Sequence, residues 1–391
     1  RLVEEFATMT GDSSVAKMME ATGFDAIKAA GYGLSVDGRG LRDRLFLQID
    51  DGSMRELMDC DAPLKAHKFV PDTAGMYTSQ QIDLAETWKW ANALLTEMNP
   101  DVARNIEEGL AAFEDKIGAN AVTDVLARLG PELAVAGWWP GQALVPDVGL
   151  FIEVRERNEV AKIVDRALAS LDIPVSSFEH RGHTIGVVEL GALGPRGVVV
   201  PQRPSWVFLD EHLVVTLWPQ SAKDLVDHFA DGGVSLGESE ACKPLLAHLR
   251  GDDPGVATAA IGWFDMPALI AFVCDNGVPI AQSFLPPSES IPVDWVAFPQ
   301  TETITQHLFG MVGGSRWTAD GYYTEYYSPI GYLGPYMLSV GLTGLFMATE
   351  QEAAQATKRV RIRESGAVPF DVPVIEVKPK RSNKKKDGGD K

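Results

Sequence analysis

The clearest hydrophobic pattern runs through PDVGLFIEVRERNEVAKIVDRALASLDIPVSSFEHRGHTIGVVEL. An apolar strand over Val148–Val154 is followed by Asn158 as a helix cap, then by Val160, Ile163, Val164, Ala167 and Leu168 on one helical face. Two strands then flank a turn at His180–His183. The segment SWVFLDEHLVVTLWP predicts a hairpin turning near Asp210 and Glu211, with Ser221 capping a helix that aligns Ala222, Leu225, Val226 and Phe229. Strand, helix, strands, helix is the order of an α+β layer on an antiparallel sheet.

Parts of the chain echo one another. AGMYTSQQIDLAETWKWANALL and VATAAIGWFDMPALIAFVCD each run from a small-residue strand through an Asp into a helix. Asp83 and Asp265 are the expected N-caps, and Pro267 sits in a first turn, where proline is tolerated. GYGLSVDGRGLRDRLFLQI and GGSRWTADGYYTEYYSPI both place Asp-Gly between strand-like runs, at Asp37-Gly38 and Asp320-Gly321, a strong hairpin signal. The expectation is repeated units of antiparallel sheet with helices packed on one face. Residues 1–62 would end a truncated first unit and 63–250 form a second. Residues 251–349 would form a third ending in an apolar helix, and 350–391 a helix extension with a basic, largely disordered tail.

At 391 residues the chain exceeds one ordinary core, and 45% apolar with 23% charged residues is a globular composition. Charge is unevenly distributed. From Lys358 onward eleven Lys/Arg face five Asp/Glu, a net of +6, which leaves 24 against 49 before it, a net of −25. An acidic body is a poor nucleic-acid binder, and its contrast with the basic tail fits a chain with its two parts in different surroundings. Cys60, Cys242 and Cys274 are odd in number and widely spaced, which excludes a disulfide scaffold and reads as packed thiols. The chain opens on Arg1, so nothing follows about a leader.

Ile330–Thr349 carries no charged residue and is long enough to span a bilayer, yet it contains four glycines, Pro335, two tyrosines, Ser339 and Thr343. Lys358, Arg359, Arg361 and Arg363 follow it, which favours a membrane-associated segment with a cytoplasmic tail. EQEAAQATK continues as an ordinary helix, which favours packing on the third unit. Both readings stay open. VPFDVPVIEVKPK beyond it reads as an extended segment.

Catalytic motifs are missing: there is no GxSxG, HExxH, phosphate loop, dinucleotide fingerprint or EF-hand. His180 and His183 have the spacing of a metal pair but supply only half a zinc site, so no metal or other cofactor is expected. The 54 carboxylates read as a solvated acidic surface. Of nine tryptophans, Trp88 and Trp90 lie two apart on a helix and cannot share one core, and Trp138 and Trp139 alternate at a strand end. These four are core or inter-unit packing first and a binding surface second.

KFVPDTAGMYTSQQIDLAETW, LARLGPELAVAGWWPG with the VGLFIEV strand, PSWVFLDEHLVVTLWPQSAKDLVDHF and HLFGMVGGSRWTADGYYTEYYSPIG together resemble an exported bacterial family, abundant in planctomycetes, known as a domain of unknown function. The resemblance implies a secreted or envelope-facing α+β protein and carries no activity. The functional expectation is a non-enzymatic cell-envelope protein that scaffolds or binds an unknown protein or envelope component. The alternative is an envelope hydrolase with a noncontiguous carboxylate/histidine site.

Overall fold

Among the described residues, four two-residue turns join neighbouring strands. They lie between Asp37 and Gly40, His180 and His183, Leu209 and His212, and Thr318 and Gly321. Such turns need left-handed backbone to match strand twist. It is supplied by Gly38 (φ 59°), by Arg181 and Gly182 (φ 49° and 81°), and by Asp210 (φ 50°). Gly321 opens a strand at φ 147°, and a Cβ there would lie 2.1 Å from the Leu47 carbonyl oxygen, so only glycine fits.

The computed structural model describes Gly23 and residues 26–49, 62–138, 147–170, 173–189, 203–243, 258–279 and 299–331. Cys60, Trp139 and the apolar run from Tyr332 onward lie outside the described residues. The chain divides into two compact units, Arg1–Gly334 and Pro335–Lys391, and every element below belongs to the first. Its strands are β1 (Ile27–Asp37), β2 (Gly40–Ile49), β3 (Met76–Gln81), β4 (Leu129–Trp138), β5 (Asp147–Val154), β6 (Val175–His180), β7 (His183–Val188), β8 (Ser205–Leu209), β9 (His212–Thr216), β10 (Thr258–Phe264), β11 (Met311–Thr318) and β12 (Gly321–Ser328). Its helices are α1 (Leu84–Met98), α2 (Pro100–Ile117), α3 (Arg157–Ser170), α4 (Pro219–Asp231), α5 (Met266–Phe272) and α6 (Thr301–Thr305).

All twelve strands join one antiparallel sheet in the order β1-β2-β12-β11-β10-β3-β4-β5-β9-β8-β7-β6. One register row crosses it: Ser35, Arg42, Tyr327, Val312, Trp263, Tyr77, Ala136, Gly149, Thr216, Ser205, Val187 and Ser176. The large side chains at the middle of that row, Trp263 and Tyr77, join β10 to β3, and the Trp263 indole donates to the Ala74 carbonyl at 3.2 Å. β2, carrying β1 on its far side, docks on β12, so the earliest strands join the latest. The N-terminal hairpin therefore completes the half of the sheet built by the end of the described chain.

Alternation along the strands separates two faces. Val207, Leu209 and Val214 enter the main core with Tyr77, Phe151 and Trp263, whereas Phe208, Leu213 and Val215 enter a second cluster. α4 inserts Ala222, Leu225 and Val226 into the main core, and α3 lays Val160 and Val164 on the second cluster. α2 packs on α3 and α1 on α2, extending that second layer. The expectation of helices on one face is thus corrected: they cover both.

Local signals explain the helix starts, with two corrections. Asp83 accepts hydrogen bonds from the amides of Ala85 and Glu86, and Asp265 accepts one from Ala268, as the sequence predicts. Asn158 is not a cap but lies inside α3, and α4 starts at Pro219 behind Trp218. Ser221 instead donates to the Asp147 carboxylate. Among the described residues no helix is long and apolar enough to cross a membrane.

Candidate functional site

The main-core face carries a buried polar row at one end of the central strands. Tyr77, Ser79 and Gln81 of β3 point to that face, and Gln81 pairs with Glu132 of β4. Glu153 of β5 pairs with His212 of β9. Glu132 is 1% exposed, and Ser79 and His212 are fully buried.

A bulge in β4 makes the row fit. The β4–β5 register shifts between Leu129 and Leu133, around Gly130, Pro131 and Glu132. Proline cannot donate to a ladder and is accommodated at such bulges. A Cβ on Gly130 would lie 2.5 Å from the Glu153 side chain, so the glycine lets that carboxylate pass. The Glu132 amide, freed by the bulge, donates to Glu153 at 3.3 Å.

Glu132 is surrounded by donors. It accepts from the Lys65 amide at 2.6 Å, the Ala66 amide at 3.0 Å and the Ser79 hydroxyl at 2.7 Å, and His212 Nε2 lies 3.4 Å from it. Burial alone pushes its carboxyl upward, but His212, Ser79 and the two amides outweigh burial and hold it below the ordinary range. Lys65 Nζ bridges Glu153 at 3.1 Å and Glu211 at 2.8 Å, and the Phe69 ring packs tilted against the His212 ring with centroids 5.1 Å apart. The segment carrying Lys65 and Phe69 thereby closes the end of the row. Burial, and next the Glu132 charge, push the Tyr77 phenol well above its ordinary range, so it stays neutral.

The wiring limits the chemistry. In a nucleophilic triad the histidine stands between the nucleophile and the acid. Here Glu132 stands between Ser79 and His212, so the histidine takes no proton from the serine. Every oxygen of Glu132 is already bonded, and the group works as a pin holding the Lys65–Ala66 backbone to the sheet.

A second network occupies the same face on the other half of the sheet. Arg42 pairs with Glu325 and, at 2.5 Å, with Asp37, while Tyr323 donates to Glu325 at 2.7 Å. Arg44 lies 3.7 Å from Glu325. Burial pushes the Glu325 carboxyl upward, but Tyr323 and Arg42 outweigh it and hold it low.

His180 and His183 stand side by side at a hairpin tip, as their spacing predicts. His180 Nε2 meets Asp227 at 2.8 Å, His183 Nδ1 meets the Phe208 carbonyl at 3.2 Å, and the His183 ring abuts Phe229. Arg181 between them pairs with Asp227 and Asp231. The tip latches onto α4. Among the described residues no group of three or more His, Cys, Asp or Glu is arranged to hold a metal ion.

Among the described residues, Trp88, Trp90 and Trp138 do not share one face of the sheet. Trp138 packs against the main core, whereas Trp88 and Trp90 are half-buried on α1, in the layer of the opposite face. Cys242 is 1% exposed with its thiol pushed up to about 12 by burial, so it is no thiolate near neutral pH. Sequence reading missed Glu132, Glu153 and His212. The available signal was phase: Glu132 shares its strand face with Ala134 and Ala136, Glu153 with Phe151, and His212 with Val214, all core positions.

Comparison with known proteins adds nothing to these residues: no family model, no curated protein and no solved structure matches the chain.

Proposed function

We propose that this chain is a non-enzymatic scaffolding or binding protein of the cell envelope. The carrying observation is that the carboxylates of these networks are spent on internal bonds: Glu132 on two backbone amides and Ser79, Asp227 on His180 and Arg181, and Glu325 on Arg42. Groups so engaged stabilise a platform.

The platform is built of repeated α+β units. Support comes from β3 and β10, which lie side by side, each running into an Asp-capped helix. The envelope setting is supported by the resemblance to an exported planctomycete-type family and by the split between an acidic body and a basic tail. Its partner is a protein or envelope component, since net charge −19 opposes nucleic acid. Ile330–Thr349 supplies a membrane contact in this reading. The alternative, an envelope hydrolase with a noncontiguous carboxylate/histidine site, draws support from Glu132, Glu153 and His212 meeting in one place.

Fractionation of cells expressing the full-length protein, with an alkaline carbonate wash, tests the setting. Recovery in the envelope fraction is expected, and recovery with cytosolic proteins would overturn it. Saturable turnover of an ester, peptide or glycoside, lost in a folded His212→Asn variant, would replace the scaffold with the hydrolase.

A further inference from the structure

The two edges of the sheet differ. β6 is six residues long and carries Glu179 and His180, the short and charged form by which natural edges avoid pairing. β1 is eleven residues long, and from Ala29 to Val36 it has no charge and no proline. Tyr32, Leu34 and Val36 are 61%, 56% and 78% exposed.

The turn fixes which backbone groups of β1 are free. Asp37 and Gly40 close a two-residue hairpin, and a closing pair of that kind exchanges hydrogen bonds. Counting back in steps of two, Ser35, Gly33 and Gly31 turn their amides and carbonyls toward β2. Val36, Leu34, Tyr32 and Ala30 turn theirs outward. These four also share one side-chain face, where the Tyr32 hydroxyl is pinned to Asp43.

We propose that β1 pairs antiparallel with β1 of a second copy, about a two-fold axis through Gly33 perpendicular to the sheet. Such an axis keeps each face continuous across the joint, so it needs a strand complementary to itself. β1 meets that condition. Tyr32 of one copy faces Leu34 of the other, Ala30 faces Val36, and Gly31 faces Ser35. Apolar meets apolar on one face and small meets small on the other. The outward groups exchange about eight backbone hydrogen bonds, two for each outward-facing pair.

Charge favours a second copy as occupant. The chain carries a net −19, so most of its surface repels another copy, and the charge-free run of β1 does not. A Cβ placed on Gly31 or Gly33 would meet no atom within 4 Å, so among the described residues nothing lies over that face of β1 at these two positions. The inference goes beyond the scaffolding reading, because a hydrolase would dimerise by the same edge.

Sedimentation velocity of the full chain over a micromolar concentration series, with two Leu34 variants and two cysteine variants, tests it. Wild type should sediment at twice the chain mass. Leu34→Pro removes an outward amide without costing a β1–β2 bond, and Leu34→Lys puts charge into the joint. Both should weaken dimerisation by more than about tenfold while leaving circular dichroism unchanged. Gly33→Cys places two thiols across a non-hydrogen-bonded pair, with Cα atoms about 4.5 Å apart, and should cross-link on mild oxidation, whereas Ser176→Cys on the opposite edge should not. A monomeric wild type, a dimer that persists in both Leu34 variants, or a dimer that Gly33→Cys fails to cross-link would each overturn the proposal. A monomer whose β1 amides resist hydrogen exchange would assign the edge to another segment of the chain and overturn it equally.

Discussion

Replacing Glu132 with alanine strips one buried carboxylate from two backbone amides, a serine hydroxyl and a histidine. Each bond to a charged group contributes about 1.5–3 kcal/mol, and a buried donor left without a partner costs about 1–3 kcal/mol. The donors share one acceptor, so these figures do not add, and the loss should match that of breaking a buried ion pair, about 3–5 kcal/mol. Against a typical total of about 5–15 kcal/mol this is a large fraction. Urea unfolding followed by tryptophan fluorescence should show a lower midpoint with an unchanged slope. The pH dependence carries a sign. The folded carboxyl lies below its ordinary 4.5, so the ion's stabilisation is complete above pH 4.5 and is lost as pH falls through the folded value. Wild type should therefore lose stability below pH 4.5 more steeply than Glu132→Ala. A midpoint change worth less than about 1 kcal/mol, or parallel acid profiles, would refute the pin.

Trp263→Ala at the β3–β10 joint should cost about 3–5 kcal/mol in the same urea assay, since it opens a cavity and removes the bond to Ala74. Cys242 should react with a thiol-specific disulfide reagent at about pH 8 only at the rate of unfolding, because its thiol is 1% exposed and pushed up to about 12. Rapid labelling of Cys242 in the native protein, mapped by peptide mass, would contradict that burial.

Features written in a few adjacent residues were legible. The Asp83 and Asp265 caps and the turns near Asp37-Gly38 and Asp210-Glu211 need only local backbone preference, and they form as read. Features set by distant partners were not. Ser221 looks like a cap, but Asp147, 74 positions away, takes its hydroxyl while Pro219 begins the helix. α3 and α4 are both amphipathic helices beside strands, and their periodicity does not say which face of the sheet each covers. The docking of β2 on β12 joins residues nearly a whole unit apart, and no local pattern encodes it.

The buried row was half legible. The strand face that Glu132 shares with Ala134 and Ala136 marks it as inward, but its donors at Lys65 and Ala66 lie 67 and 66 positions back. Counted as one of 54 carboxylates, it reads as surface. His180 and His183 were correctly paired in space, yet their use, holding a hairpin tip to α4, depends on Asp227 and Phe229 from a later helix.

The central claim is that the Ser79–Glu132–His212 row holds the sheet together and does no chemistry. Turnover and urea unfolding measured on the same proteins, wild type, Ser79→Ala and His212→Asn, test it most directly. The account predicts that neither wild type nor variant consumes ester, peptide or glycoside substrates, and that both variants unfold at lower urea. Turnover by wild type that disappears in either variant while its unfolding midpoint stays in place would contradict it.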